Sequence, residues 1–101
     1  MIPEILRYKI PVAQSVAFTT AYRQAAEVLR DSPHCLGCEL LRSDKDPENY
    51  LLTIYWDSAE GHMQGFRTSA VFPPFLALVR PFLANIQEME HYHPSGIAWR
   101  R

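Results

Sequence analysis

The side chains equipped for chemistry are the imidazole of His62, the indole of Trp56, the thiols of Cys35 and Cys38, and the ring groups of Tyr8, His91 and Tyr92. A neutral imidazole accepts a proton near neutral pH, so His62 can turn a phenol into an electron-rich anion able to react with dioxygen. Its neighbours Ala59, Met63 and Phe66 recur at helical spacing and place it on an apolar helix face. Either it faces a cavity as a base, or it is a half-buried helix histidine bonded to a backbone carbonyl. Trp56 shares the alternation of Leu52 and Ile54, and with Tyr8 it offers a flat aromatic wall. Phe66, Phe75 and one of His91 and Tyr92 extend that wall, the facing of the last two being left open by parity. An apolar pocket with a few convergent polar groups suits a planar ligand, although core packing accounts for the same aromatics.

Cys35-Leu36-Gly37-Cys38 has the spacing of a redox or zinc pair, yet it follows a helix and enters a strand. Redox pairs open a helix, whose N-terminus lowers the thiol pKa, and a structural zinc needs two further ligands. His91 and His93 are poorly spaced to supply both, so the expectation is two small buried thiols, no metal and no cofactor. Arg80 is expected at the surface, and the carboxylates are expected to be solvated.

Positioning these groups requires a particular order of elements. Residues 4–12 alternate, with Leu6, Tyr8 and Ile10 on one side and Arg7 and Lys9 on the other, which predicts a strand. Phe18, Tyr22, Ala25 and Leu29 then recur at helical spacing over residues 15–30, and Asp31-Ser32-Pro33 ends the helix. Residues 35–42 and 50–56 read as strands joined by the turn-forming run Ser43-Asp44-Lys45-Asp46-Pro47-Glu48-Asn49, which predicts an antiparallel hairpin. Asp57-Ser58-Ala59-Glu60 has the form of a capping box opening a second helix. That helix is broken before Phe72, Phe75, Leu76 and Val79, with Pro73-Pro74 at the new start, and residues 85–93 form a last strand. The order β-α-β-β-α-β describes an α+β, ferredoxin-like antiparallel sheet with helices on one face, spanning residues 1–93 and followed by a tail over 94–101.

The chain has 101 residues, 48% hydrophobic and 21% charged, which suits one small globular domain and excludes a disordered or low-complexity chain. Ten basic residues against eleven acidic ones leave a net charge of -1, without the basic stripe that nucleic acid requires. No apolar run approaches the roughly 20 residues needed to cross a bilayer, and no export signal is visible, so a cytoplasmic location is expected. Helices on one face leave the other face of the sheet uncovered, which two facing sheets would resolve in a homodimer.

In this order, Pro33-His34-Cys35-Leu36-Gly37, the strand Glu39-Leu40-Leu41-Arg42-Ser43, the junction Trp56-Asp57-Ser58, and Met89-Glu90-His91-Tyr92 resemble the antibiotic biosynthesis monooxygenase family over residues 4–93. The resemblance implies a dimeric α/β barrel with a cavity between helices and sheet in each subunit. It also implies activities that range from cofactor-independent oxygenation of polycyclic phenols to haem breakdown. Haem-degrading members carry an Asn, a Trp and a His where this chain aligns Leu6, Gly65 and Leu76, which argues against haem breakdown. The expected activity is thus cofactor-independent oxygenation of a small electron-rich aromatic or quinol, with His62 and Trp56 catalytic and Tyr8, Phe66, Phe75 and His91 against the substrate. The alternative is a non-catalytic domain that binds a small apolar molecule in the same pocket.

Overall fold

The computed structural model describes residues 1–101. Alternation in the first segment produces strand β1 (Ile2–Lys9), whose inward residues Glu4, Leu6 and Tyr8 are buried. Helix α1 (Ser15–Leu29) buries Phe18, Tyr22, Ala25 and Leu29, the four residues its periodicity picks out. Strands β2 (Cys35–Arg42) and β3 (Asn49–Trp56) form the hairpin. Its turn is organised by Ser43 Oγ, which accepts from the amides of Lys45 and Asp46, and by Asp46 Oδ1, which accepts from Glu48. These local bonds are why Ser and Asp favour turns.

The second helical region departs from the expected capping box. Ser58 Oγ accepts from the Gly61 amide at 2.8 Å and helical residues begin at Ala59, while Asp57 pairs with His34 Nδ1 at 2.9 Å. Gly61–Phe66 is a π-helical turn, closed by the Arg67 amide donating to the His62 carbonyl at 3.1 Å. This widened turn buries His62 and Phe66 together and turns Met63 outward, so Met63 leaves the apolar face expected of it. Helix α2 (Phe72–Val79) starts on the two prolines, where missing amides cost nothing, and a 3-10 turn (Arg80–Asn85) leads into strand β4 (Ile86–His91).

The sheet is antiparallel in the order β2-β3-β1-β4, with the helices packed on one face: an α+β, ferredoxin-like fold. The β1–β4 ladder shifts register between Arg7 and Tyr8, so Ile86, Met89 and His91 reach the helix side although Ile86 and Met89 are three residues apart. That bulge is why alternation in this strand is poorly sorted. His91 pairs with Glu4 on the helix side, while Tyr92 lies beyond the strand with its hydroxyl on Glu88. The other face carries Ile5, Leu51 and Tyr55 half-buried and Leu41 exposed. Residues 92–101 are exposed throughout, including Ile97 and Trp99. No helix is long and apolar enough to cross a membrane.

Candidate functional site

Between the helices and the sheet lies a cavity of about 330 Å³ whose lining is almost wholly apolar. Tyr8, Trp56, His62, Phe66 and Phe75 all line it, joined by Tyr22 from α1 and by Leu76 and Leu83 from the later helical turns. His91 stands just outside, in contact with His62. The aromatics do not make one continuous wall. Trp56, His62, Phe66, Phe72 and Phe75 pack together at one end, while Tyr8 packs with Phe18 and Tyr22, and Phe18 in turn with Tyr50 and Phe82. Phe82 thus belongs to the Phe18 group, apart from Phe66 and Phe75.

At the Trp56 end the polar groups converge. The His62 ring stacks on the indole, centroids 4.3 Å apart and planes 13° from parallel, and the residue is 8% exposed. Its Nδ1 meets His91 Nε2 at 2.7 Å, and its Nε2 lies 3.7 Å from Glu4 Oε1. The partner is thus neither open cavity alone nor a backbone carbonyl. Burial holds the His62 pKa down to about 4, helped by the charges of His91 and Arg67, so the ring is neutral at pH 7 with one nitrogen lone pair available.

Glu4 is 5% exposed, which overturns the expectation that the carboxylates are solvated. It occupies an inward position of β1 in the same parity as Leu6 and Tyr8, and that parity is the sequence signal that marks it. The Trp56 Nε1–H donates to its Oε1 at 3.0 Å, so the indole donor is committed to this carboxylate. Desolvation raises the Glu4 pKa, while the Trp56 bond and the charges of His91 and Arg67 oppose the rise. Arg67, not Arg80, is the cation on the cavity wall; Arg80 is exposed as expected.

The Tyr8 and Tyr22 hydroxyls hydrogen-bond to each other inside the cavity. Burial pushes Tyr8 up to about 12 and Tyr22 higher still, so both remain protonated donors at neutral pH. Leu6 and Leu76 line the cavity, whereas Gly65 faces away and lies under the His34 ring. The haem-degrading Trp therefore has no counterpart on the wall at this position. Cys35 and Cys38 are free and half-buried, not fully buried as expected, because β2 is an edge strand; they border a separate hollow with Ala26, Glu27 and Arg30. Burial raises both thiol pKa values, which keeps them poor nucleophiles.

The residues able to hold a metal are Glu4, His62 and His91, whose ligand atoms lie within 4.8 Å of one another. Chelation needs nitrogen lone pairs that converge on one point. At 2.7 Å, the His62–His91 contact is instead a hydrogen bond in which one nitrogen's lone pair takes the other's proton.

An antiparallel sheet with helices on one face and an apolar cavity beneath them defines a ferredoxin-like α+β domain. The chain belongs to the antibiotic biosynthesis monooxygenase family, whose sequence model matches residues 1–79. Among curated proteins it is similar to the uncharacterized protein YczJ of Bacillus subtilis, 27% identical over 92 residues that cover 91% of this chain and 97% of YczJ. Among solved structures it resembles a Bordetella bronchiseptica protein assigned to antibiotic biosynthesis monooxygenases (TM-score 0.79, 28% identity, 92% of this chain and 95% of that one). The fold is also that of SnoaB, a cofactor-independent oxygenase from Streptomyces nogalater solved in a mutant form (TM-score 0.76, 16% identity, 93% of this chain and 92% of that one).

Proposed function

We propose that this protein is a monooxygenase-like enzyme that oxidises a small electron-rich aromatic or quinol in the helix–sheet cavity without a bound cofactor. The observation that carries this reading is a neutral imidazole stacked on Trp56 at the wall of an otherwise apolar cavity. In this reading His62 Nε2 takes the substrate's hydroxyl proton, and the Glu4 carboxylate 3.7 Å away steadies the imidazolium that forms. Trp56 covers the ring and, through its N–H, holds Glu4 in place. Tyr8, Phe66 and Phe75 supply the walls for a planar ring system.

The substrate anion then supplies the electrons that reduce dioxygen. For an activated ring methylene the balance closes without an outside reductant. The methylene gives up both hydrogens and becomes a carbonyl, one atom of dioxygen enters that carbonyl, and the other leaves with the two hydrogens as water. SnoaB, a cofactor-independent oxygenase that shares the fold, gives oxygenation without a cofactor a precedent on the same scaffold. We further propose that the protein acts in the cytoplasm as a homodimer, the helix-free face with Ile5, Leu41, Leu51 and Tyr55 covered by a second copy.

The competing reading is a binding or regulatory domain, and what favours it is that His62 already has a hydrogen-bonding partner in His91. Oxygen uptake across hydroquinones, anthrones and flavonols separates the two. Turnover of one of them that falls roughly 10²–10⁴-fold in His62→Ala, the usual worth of an acid–base group, supports the enzyme. Saturable binding of these compounds with no oxygen uptake supports the binder.

A further inference from the structure

His62 separates two hollows. The inner one is the 330 Å³ cavity, and the outer one, 140 Å³, is lined by Glu4, His62, Met63, Arg67, Met89, Glu90 and His91. Glu4, His62, Arg67 and Met89 border both, whereas His91 borders only the outer one. The two nitrogens of His62 point to different partners: Nε2 toward Glu4 and Nδ1 to His91 Nε2. The imidazole rings are nearly perpendicular, at 88° with centroids 4.9 Å apart, so they meet edge-on through a hydrogen bond and do not stack.

Resting on the reading of His62 as the proton acceptor, we propose that His91 is the exit through which the substrate's proton passes from His62 to the outer hollow. The substrate O–H bond breaks as a bond forms to His62 Nε2. The Nδ1–H bond of His62 then breaks and its proton joins His91 Nε2, while His91 releases its own Nδ1 proton to water in the outer hollow. His62 ends neutral, as the opposite tautomer, and the anion stays behind with its electron pair. The same chain run in reverse returns a proton when water is formed from dioxygen. His91 acts through His62 and does not touch the substrate.

The other polar groups on the wall have partners or chemistry that suit them less to carry the proton. The Tyr8 and Tyr22 hydroxyls bond to each other and stay protonated, and the Arg67 guanidinium cannot accept a proton. Glu4 is held by Trp56 and faces the same nitrogen that receives the proton.

The test begins with nitrogen-15 spectra of the histidines in chelator-treated protein. His62 is expected to be protonated at Nδ1 and bare at Nε2, with a scalar coupling to His91 Nε2 across the hydrogen bond. A His62 proton on Nε2, or no coupling, overturns the chain. Turnover of a quinol or anthrone is then compared in His91→Ala and His91→Gln. Gln preserves an acceptor for the His62 N–H but cannot relay a proton. Both variants are expected to slow roughly 10–10²-fold, less than the loss of an acid–base group itself, with ligand affinity by Trp56 fluorescence unchanged. Added imidazole should restore His91→Ala and leave His91→Gln slow. Wild-type turnover in His91→Gln reduces His91 to an orienting group and refutes the exit. Wild-type turnover in His62→Ala instead removes the underlying reading, whereas a slow His62→Ala with fast His91 variants removes the exit alone. Stoichiometric, tight Zn²⁺ binding that is lost in His91→Ala also overturns the proposal, because an ion would then stand where the proton is drawn.

Discussion

Acid should destabilise this fold through one side chain, and the size of the effect follows from where His62 lies. The folded chain holds it neutral, with a pKa near 4, whereas the unfolded chain protonates it at 6.5. Between these values the unfolded state binds the extra proton, so stability is complete above about pH 6.5 and falls as pH drops toward 4. At about 1.4 kcal/mol per pKa unit the loss amounts to roughly 3 kcal/mol, a large share of the about 5–15 kcal/mol of a small domain. Glu4 acts in the opposite direction. Its folded pKa is raised, so protonation favours the native state as pH falls, and the wild-type curve alone will look shallower than the His62 contribution. His62→Phe keeps an aromatic ring over Trp56 and removes the titration, so the difference between the two proteins isolates His62. Denaturant unfolding at pH steps from 7 to 4 is the assay. The wild type should lose roughly 3 kcal/mol relative to His62→Phe across that range. A difference that stays constant with pH, or a His62 pKa near 6.5 by NMR titration, would show that the ring's pKa is not depressed by burial and would refute this account of the acid sensitivity.

Trp56→Phe should cost about 1.5–3 kcal/mol, the worth of a hydrogen bond to a charged group, because Glu4 loses its buried donor; thermal unfolding reads this, and an unchanged midpoint would mean water replaces the indole. In the same variant the Glu4 pKa should rise further, since the Trp56 bond is what lowers it, and carboxyl carbon-13 titration measures the direction. Gly65→Ala should destabilise by about 1–3 kcal/mol because a Cβ there overlaps the His34 ring, and adding His34→Ala should recover much of that loss; additive effects would refute the contact. Equilibrium sedimentation at micromolar concentration should show a dimer, and Leu41→Lys on the helix-free face should weaken it without altering secondary structure; a wild-type monomer would sink the assignment of that face.

Much of the fold is legible in the sequence because its elements are short, strongly periodic and punctuated by turn formers. The four buried positions of α1 follow from spacing alone, and the hairpin follows from a run of residues that bond to their own backbone. The same reasoning places Trp56, Tyr8, Phe66 and Phe75 on one cavity, since alternation and helical period report which side a residue takes. Other features depend on distances between segments far apart in the chain. Glu4 looks like any surface carboxylate until β1 pairs with β3 and brings it under the Trp56 indole, fifty-two positions away. His91 cannot be assigned a side from parity because the bulge opposite Arg7 and Tyr8 shifts the register of β4. The π-helical turn, which keeps His62 and Phe66 inward and frees Met63, packs Gly61 and Gly65 against the Asp57–His34 pair, a contact between distant segments that leaves no room for a Cβ. Local periodicity determines which face a side chain occupies; only tertiary packing decides which groups share a proton, because hydrogen bonds and desolvation act over a few ångströms and those ångströms are fixed by strand register.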